Sequence, residues 1–323
     1  MTPPNKILPL LALTLAASIA AAQPFPSKPV RLIVGSPPGG GNDIVARILA
    51  VKLTENLGQQ VIVDNRGGAN GIIGMELAAR AAPDGHTLYM GTTGHLSVNA
   101  VFYPKLPFNV DRDFVPLTQV VSLSFLLYLH PSVPAKTLGE LVAHAKAHPG
   151  KLAWSSSGDG GLPQFAGEML KLAARIDTRR IPYKGSSPAF NDLLAGQVQY
   201  CIEAVPIGLA HVRSGRLLAL ATTGDKRLPF LPEVPALRET YPGLEVQNWY
   251  GMMLPAGTPS ERVNRWHGEI LKVMNVPEIR ARLMAQGTDP VGSTPAQFAA
   301  FRKAEENKWA RVIKEANIRP SSS

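Results

Sequence analysis

The sequence is poor in the residues that build covalent and metal scaffolds. Its 323 residues contain one cysteine, Cys201. A single thiol excludes an internal disulfide, a zinc cluster and an iron–sulfur site. Aromatic residues make up only 7% and charged residues only 18%. The charge is too dilute for a polyelectrolyte, and 45% hydrophobic residues exclude a disordered chain. Basic residues outnumber acidic ones by 33 to 24, a net charge of +9. Yet the only adjacent basic pairs are Arg179-Arg180, Lys226-Arg227 and Arg302-Lys303. That scatter argues against a nucleic-acid partner. Beyond the N-terminus no apolar run reaches the about 18 residues of a membrane span. The 29 glycines and 29 prolines show no collagen-like period and point to many tight turns.

The N-terminus reads as an export signal. Lys6 supplies a positive start, residues 7–20 (ILPLLALTLAASIA) form an apolar run, and Ala20-Ala21-Ala22 fits a small-residue cleavage site. Fourteen residues span about 21 Å as a helix, short of the roughly 30 Å hydrocarbon core. The expectation is a signal peptide over residues 1–22, cleaved after Ala22, and a soluble exported chain.

After this segment the pattern alternates between strand and helix. Residues 30–35 (VRLIVG) read as a buried strand, 43–57 as a helix stopped by Gly58, and 61–64 as a strand. A small-residue helix over 71–82 and a strand over 87–93 complete a β-α-β-α-β unit. A second series follows. Strands are expected over 125–129, 152–156, 179–183, 198–204 and 217–221. Helices are expected over 137–148, 162–176, 187–195 and 206–213. The tail, 258–318, reads as helical almost throughout and without strand partners of its own, with Thr258 capping a helix that starts at Pro259 and Ser293 or Thr294 capping another at Pro295. A helical tail needs a sheet face, and the first unit is short of helices. The chain then crosses twice between two α/β lobes, near Leu123 and Val246. One lobe comprises residues 23–123 plus 247–323, the other 124–246. Lobes joined by two crossings can close on a ligand.

Parallel sheets bind ligands beyond the carboxyl ends of their strands. The segments there are rich in glycine and hydroxyls. They are Ser36-Pro37-Pro38-Gly39-Gly40-Gly41-Asn42-Asp43, Thr92-Thr93-Gly94-His95, Ser155-Ser156-Ser157-Gly158-Asp159-Gly160-Gly161 and Tyr183-Lys184-Gly185. Each opens a helix, whose N-terminus carries unpaired N–H donors and a partial positive charge. Several such ends around one cleft make an anion site without arginines. Glu203 and Cys201 share one strand face. Glu203 either lines the cleft or sits in a structural salt bridge, and Cys201 reads as a buried, inert thiol. Tyr183 and Phe125 are candidate apolar walls. Asp43 at the start of the first helix is explained by capping and the helix dipole alone. Residues 64–71 (DNRGGANG) read as a capped turn, with a binding role as the second reading.

Nucleotide and catalytic templates fail. The G-x-G-x-x-G pattern breaks at Ile44, and there is no G-K-[ST]. No serine lies in G-x-S-x-G or S-x-x-K. His144 and His148 lack the glutamate of H-E-x-x-H and read as a solvated helix face. No catalytic residue, metal or cofactor is assigned. Two alternatives stay open: a secreted hydrolase or isomerase using residues 155–157 or His95, and a sensor presenting ligand to a receptor kinase.

Several motifs together carry a family resemblance. Residues 28–34 (KPVRLIV), 37–43 (PPGGGND), 70–74 (NGIIG), 83–88 (PDGHTL), 181–185 (IPYKG) and 255–259 (PAGTP), with Gly287 and Thr294-Pro295, resemble the Bug family of extracytoplasmic solute receptors. These are the binding proteins of tripartite tricarboxylate transport systems. The resemblance covers about residues 26–318. It implies a type II periplasmic-binding-protein-like fold of two α/β lobes around a hinged cleft, and a periplasmic location. It implies a small organic carboxylate held by the loops named above and Glu203; if Glu203 lines the cleft, its charge disfavours a second carboxylate nearby and favours an amino or hydroxy acid. Partners would be that ligand and membrane permease subunits, the chain itself being a monomer. Ser36, Gly67, Asp159, Gln164 and Glu203 depart from residues frequent in the family, and most touch the expected pocket.

Overall fold

Two β-α-β series build the two halves of one ten-stranded sheet, and a single long strand joins them. The computed structural model describes residues 25–315, so the expected export signal lies outside the described residues.

Strand β1 (Val30–Val34) pairs in parallel with β2 (Val61–Asn65) and β3 (Thr87–Thr92). Apart from Arg31, which pairs with Asp64, its residues are apolar and buried, as a parallel strand covered on both faces requires. Helix α1 (Gly41–Leu57) connects β1 to β2 and ends at Gly58, whose left-handed φ of 64° lets its N–H donate to Thr54 O at 3.1 Å. Helix α2 (Ile72–Ala79) is shorter than the expected 71–82. Gly71 has φ +78° and belongs to a preceding 3-10 turn, Ala69–Gly71, so the helix cannot begin before Ile72. A π-helical turn (Gly94–Val98) and two short helices, α3 (Asn99–Phe102) and α4 (Val110–Asp113), follow β3.

The next strand corrects the sequence reading. β4 runs from Phe114 to Leu129, 16 residues, where only 125–129 were expected. Beyond it come α5 (Leu138–Ala147), β5 (Ala153–Ser156), α6 (Leu162–Ala174), β6 (Arg179–Pro182), α7 (Ser186–Leu194), β7 (Tyr200–Ala204), α8 (Val205–Arg213), β8 (Leu218–Thr222) and α9 (Leu237–Thr240). Thr137 caps α5 as expected, its Oγ1 accepting from Glu140 N–H at 3.1 Å. β5 is parallel to β6 and β7, and the last five residues of β4 run antiparallel to β7 and β8.

Strand β9 (Gln247–Pro255) was not anticipated. It lies between β3 and the first part of β4, antiparallel to both. β4 thus pairs with β9 up to Ser124 and with β7 and β8 from Phe125 onward. The fold is mixed α/β, with one lobe around each half of the sheet.

The tail holds α10 (Ser260–Met274), α11 (Pro277–Ala285), β10 (Asp289–Pro290) and α12 (Pro295–Glu315). Two expectations fail here. Pro259 has ψ 140° and is itself the non-helical flank of α10, while Thr258 Oγ1 turns back to donate to Pro255 O at 2.7 Å. The tail also has a strand partner after all, because β10 pairs with Ser122 and Val121 of β4. The tail does cover the first lobe. Trp266 Nε1 donates to Gly85 O at 2.8 Å, and Ser97 Oγ donates to Arg302 O at 3.1 Å. Trp309 of α12 reaches further and stacks on Phe165 of α6, ring centroids 5.6 Å apart.

Candidate functional site

A cleft of about 330 Å³ opens between the two lobes, at the carboxyl ends of β1, β3, β5, β6 and β7. It is lined at the starts of five helices: Gly41 and Asn42 open α1, Leu162 and Pro163 open α6, Ser186 opens α7, and Gly71, Gly161, Gly185 and Ala204 stand immediately before α2, α6, α7 and α8. Each helix start presents N–H groups with no intrahelical partner and the positive end of a dipole. Lys184 is the one lysine or arginine among the described lining residues, and it is exposed. The positive potential of the cleft is therefore supplied mainly by backbone.

The first expected loop divides. Ser36, Pro37, Gly41 and Asn42 line the cleft; Pro38, Gly39, Gly40 and Asp43 do not. Asp43 braces the loop from behind. Its Oδ2 accepts from Gly39 N–H at 2.8 Å and Arg47 Nε at 3.0 Å, and its Oδ1 accepts from Asn65 Nδ2 at 2.9 Å. Asn65 Nδ2 also donates to Ser36 O at 3.0 Å, so one amide fixes both ends of the turn.

In the second loop Thr92, Gly94 and His95 face the cleft. Thr93 is fully buried behind it, donating to Asn248 Oδ1 at 3.0 Å. His95 Nδ1 lies 3.0 Å from Tyr89 Oη, and burial pulls its pKa down to about 4, so the ring is neutral at pH 7. Two glycines make room for these side chains. A Cβ on Gly71 would lie 2.6 Å from the His95 ring, and one on Gly35 only 2.1 Å from Tyr89 Oη.

In the third loop Ser157, Gly158, Asp159 and Gly161 face the cleft, whereas Ser155, Ser156 and Gly160 do not. Ser155 and Ser156 belong to β5 and are buried; Ser156 Oγ accepts from Arg180 Nη1 at 3.2 Å. Gly160 N–H donates to Gln164 Oε1 at 2.8 Å. Asp159 pairs with Arg180 at 2.8 Å. Tyr183, Lys184 and Gly185 all line the cleft. Tyr183 Oη donates to Asp192 Oδ2 at 2.6 Å, and burial together with that carboxylate pushes its pKa up to about 12.

Glu203 lies at the cleft and is 3% exposed. Its Oε1 accepts from Ala204 N–H at 3.1 Å. Burial raises its pKa and outweighs the opposing pull of the Ser186 hydroxyl, the Ala204 N–H and the Ser157 hydroxyl. Among the described residues it forms no ion pair, so the salt-bridge reading has no partner. His95 and Ser157 do not hydrogen-bond to each other among the described residues, and Cys201 is buried with its pKa raised by that burial. His144 and His148 sit far from the cleft on and after α5, half-buried and exposed respectively.

Other lining residues were missed. Gly68, Ala69, Asn70 and Gly71 belong to the segment read as a capped turn, yet they form one wall. Asn70 takes φ +48°, and its Nδ2 donates to Asn99 Oδ1 at 2.7 Å. The Asn-Gly pair before a helix was a legible signal, the same as at the other loops. Asn248 and Tyr250 come from β9, and Tyr103 from just beyond α3. Nothing local in their sequence marks them. Phe125, named as a wall, does line the cleft.

The family described as the tripartite tricarboxylate transporter family receptor, TctC, matches residues 45–318. The protein BugT of Bordetella pertussis (strain Tohama I) is 37% identical over 324 residues, covering 98% of each chain. A solved R. palustris protein with adipate is 30% identical, with a TM-score of 0.88, covering 92% of this chain and 99% of that one. MatC from Rhodopseudomonas palustris with bound malate is 29% identical, with a TM-score of 0.83, covering 90% of this chain and all of that one (100%). With the match starting inside α1 and reaching the C-terminal region, and identity sustained along both chains, this chain belongs to the tripartite tricarboxylate transporter receptor family.

Proposed function

We propose that the protein is a periplasmic receptor that captures a small organic carboxylate between its lobes and delivers it to the permease of a tripartite tricarboxylate-type transporter. One observation carries the reading: five helix N-termini converge on a single cleft of about 330 Å³. A carboxylate there accepts backbone and hydroxyl bonds of roughly 1.5–3 kcal/mol each. A few of them, less the cost of closure, suit micromolar affinity, about −8 kcal/mol. Two relatives whose structures hold malate and adipate support a carboxylate here.

In this reading residues 23–123 with 247–323 form one lobe and 124–246 the other. The lobes pivot where β4 changes partners and where β9 begins, and ligand favours the closed state because it touches both walls. The contacts are Ser36, Asn42, Thr92, Gly94, Ser157, Gly158, Gly161 and Glu203. The chain acts as a monomer and performs no chemistry on its ligand. Export by residues 1–22 fits a chain in which no helix among the described residues is long and apolar enough to cross a membrane.

The test is mass spectrometry of whatever is released when the exported protein is purified and denatured. A stoichiometric carboxylate that rebinds in calorimetry with micromolar affinity is the expected result. Release of a neutral metabolite instead, with no heat from any carboxylate, overturns the proposal.

A further inference from the structure

Glu203 places a buried carboxylate inside a cleft otherwise built to attract anions. At 3% exposure, with no cation paired to it among the described residues, its charge lacks compensation. A desolvated charge is costly unless an opposite charge reaches it. The opposite wall repeats the pattern. Asn42 is 2% exposed and lines the same cleft. Its Nδ2 is spent on Met90 O at 3.1 Å, which leaves Oδ1 buried with no hydrogen-bond partner. The two acceptors are carried by neighbouring backbone: Asn42 follows Gly41 and Glu203 precedes Ala204, and a Cβ on Gly41 would lie 3.3 Å from Ala204 Cβ. They belong to different lobes and line one cleft.

We infer that Glu203, assisted by Asn42 Oδ1, is the specificity-determining residue of the cleft and selects carboxylates that carry an ammonium group. The helix N-termini take the ligand's carboxylate. Glu203 and Asn42 take its N–H donors, and the ammonium supplies the countercharge that the protein withholds. Ala204 N–H holds the Glu203 carboxylate by donating to Oε1, leaving its remaining lone pairs for the ligand. An unsubstituted dicarboxylate in the same place would leave Asn42 Oδ1 unpaired and set a second negative charge against Glu203. The inference rests on the carboxylate-receptor reading and adds the second group recognised.

The experiment is calorimetry on the exported chain with three matched ligand sets: succinate, malate and aspartate; glutarate, 2-hydroxyglutarate and glutamate; adipate, 2-hydroxyadipate and 2-aminoadipate. In the set that fits the cleft, the amino member should bind at least tenfold tighter than the unsubstituted one. Glu203→Gln should weaken the amino member at least tenfold and tighten the unsubstituted one, reversing the preference. The wild-type comparison needs no variant, so it decides the matter even if Glu203→Gln folds poorly. A hydroxy or unsubstituted member binding as tightly as the amino member overturns the inference and leaves the carboxylate reading intact. Silence from all nine, with a non-carboxylate released from the purified protein, overturns both.

Discussion

Ser187 Oγ donates a 2.7 Å hydrogen bond to the carbonyl oxygen of Pro38, joining the start of α7 in one lobe to the loop before α1 in the other. A second bond does similar work: Tyr103 Oη, from the first lobe, donates to Asp159 O of the second at 2.7 Å. Both acceptors are backbone carbonyls in glycine-rich loops, so the loops that face the ligand also tie the lobes together.

Ser187→Ala removes one tie without touching the cleft lining. A net hydrogen bond contributes about 0.5–1.5 kcal/mol, so ligand affinity should weaken roughly 2- to 10-fold. The unfolding midpoint of the ligand-free chain should hardly move. Calorimetry and thermal unfolding measured together check this; a lower midpoint with unchanged affinity would make the bond purely structural.

Gly185→Ala should act on closure more strongly. Gly185 has φ +119°, and a Cβ there would lie 2.5 Å from Pro37 Cγ in the facing lobe. Overpacking of this kind costs about 1–3 kcal/mol, so affinity should fall about tenfold or more. Small-angle scattering should show that ligand no longer compacts the variant as it does the wild type. Equal compaction of both would remove Gly185 from the closing contact.

His95 should make stability depend on pH. Its folded pKa of about 4 lies below the ordinary 6.5, so the unfolded chain takes up a proton that the folded one refuses. The contribution is fully present above pH 6.5 and is lost as pH falls toward 4. Between pH 7 and pH 5 the loss is about 2 kcal/mol. Glu203 works in the opposite direction, since its pKa is raised. Urea unfolding of wild type and His95→Gln at both pH values isolates the histidine. The variant should lose about 2 kcal/mol less over this interval, and identical losses would refute the assignment.

Export should remove residues 1–22. Intact-mass measurement of the protein from the periplasmic fraction should give a chain beginning at Gln23. A mass retaining Lys6 would show that the segment anchors the protein instead of addressing it.

Much of the organisation was legible in local pattern. The mostly apolar strand VRLIV, the glycine stop at Gly58 and the Thr137 cap are set by neighbours within a few residues, and they appear where the spacing puts them. Glycine-rich loops before helices were legible for the same reason: a helix start and a positive φ are short-range events. The pocket's second layer was not. Asp43 and Thr93 sit in the right loops but turn away from the cleft, because Asn65 and Asn248, 22 and 155 residues away, hold them there.

Sequence alone settled that this chain alternates strands and helices, carries its glycines at the mouths of strands and resembles solute receptors, since periodicity and turn chemistry are encoded residue by residue. Tertiary structure decided that β9 enters between β3 and β4, that Asn70, Asn248 and Tyr250 reach the cleft, and that Glu203 is buried in its wall with no ion pair among the described residues. Strand order and burial depend on partners brought together across the whole chain, and no local window contains them.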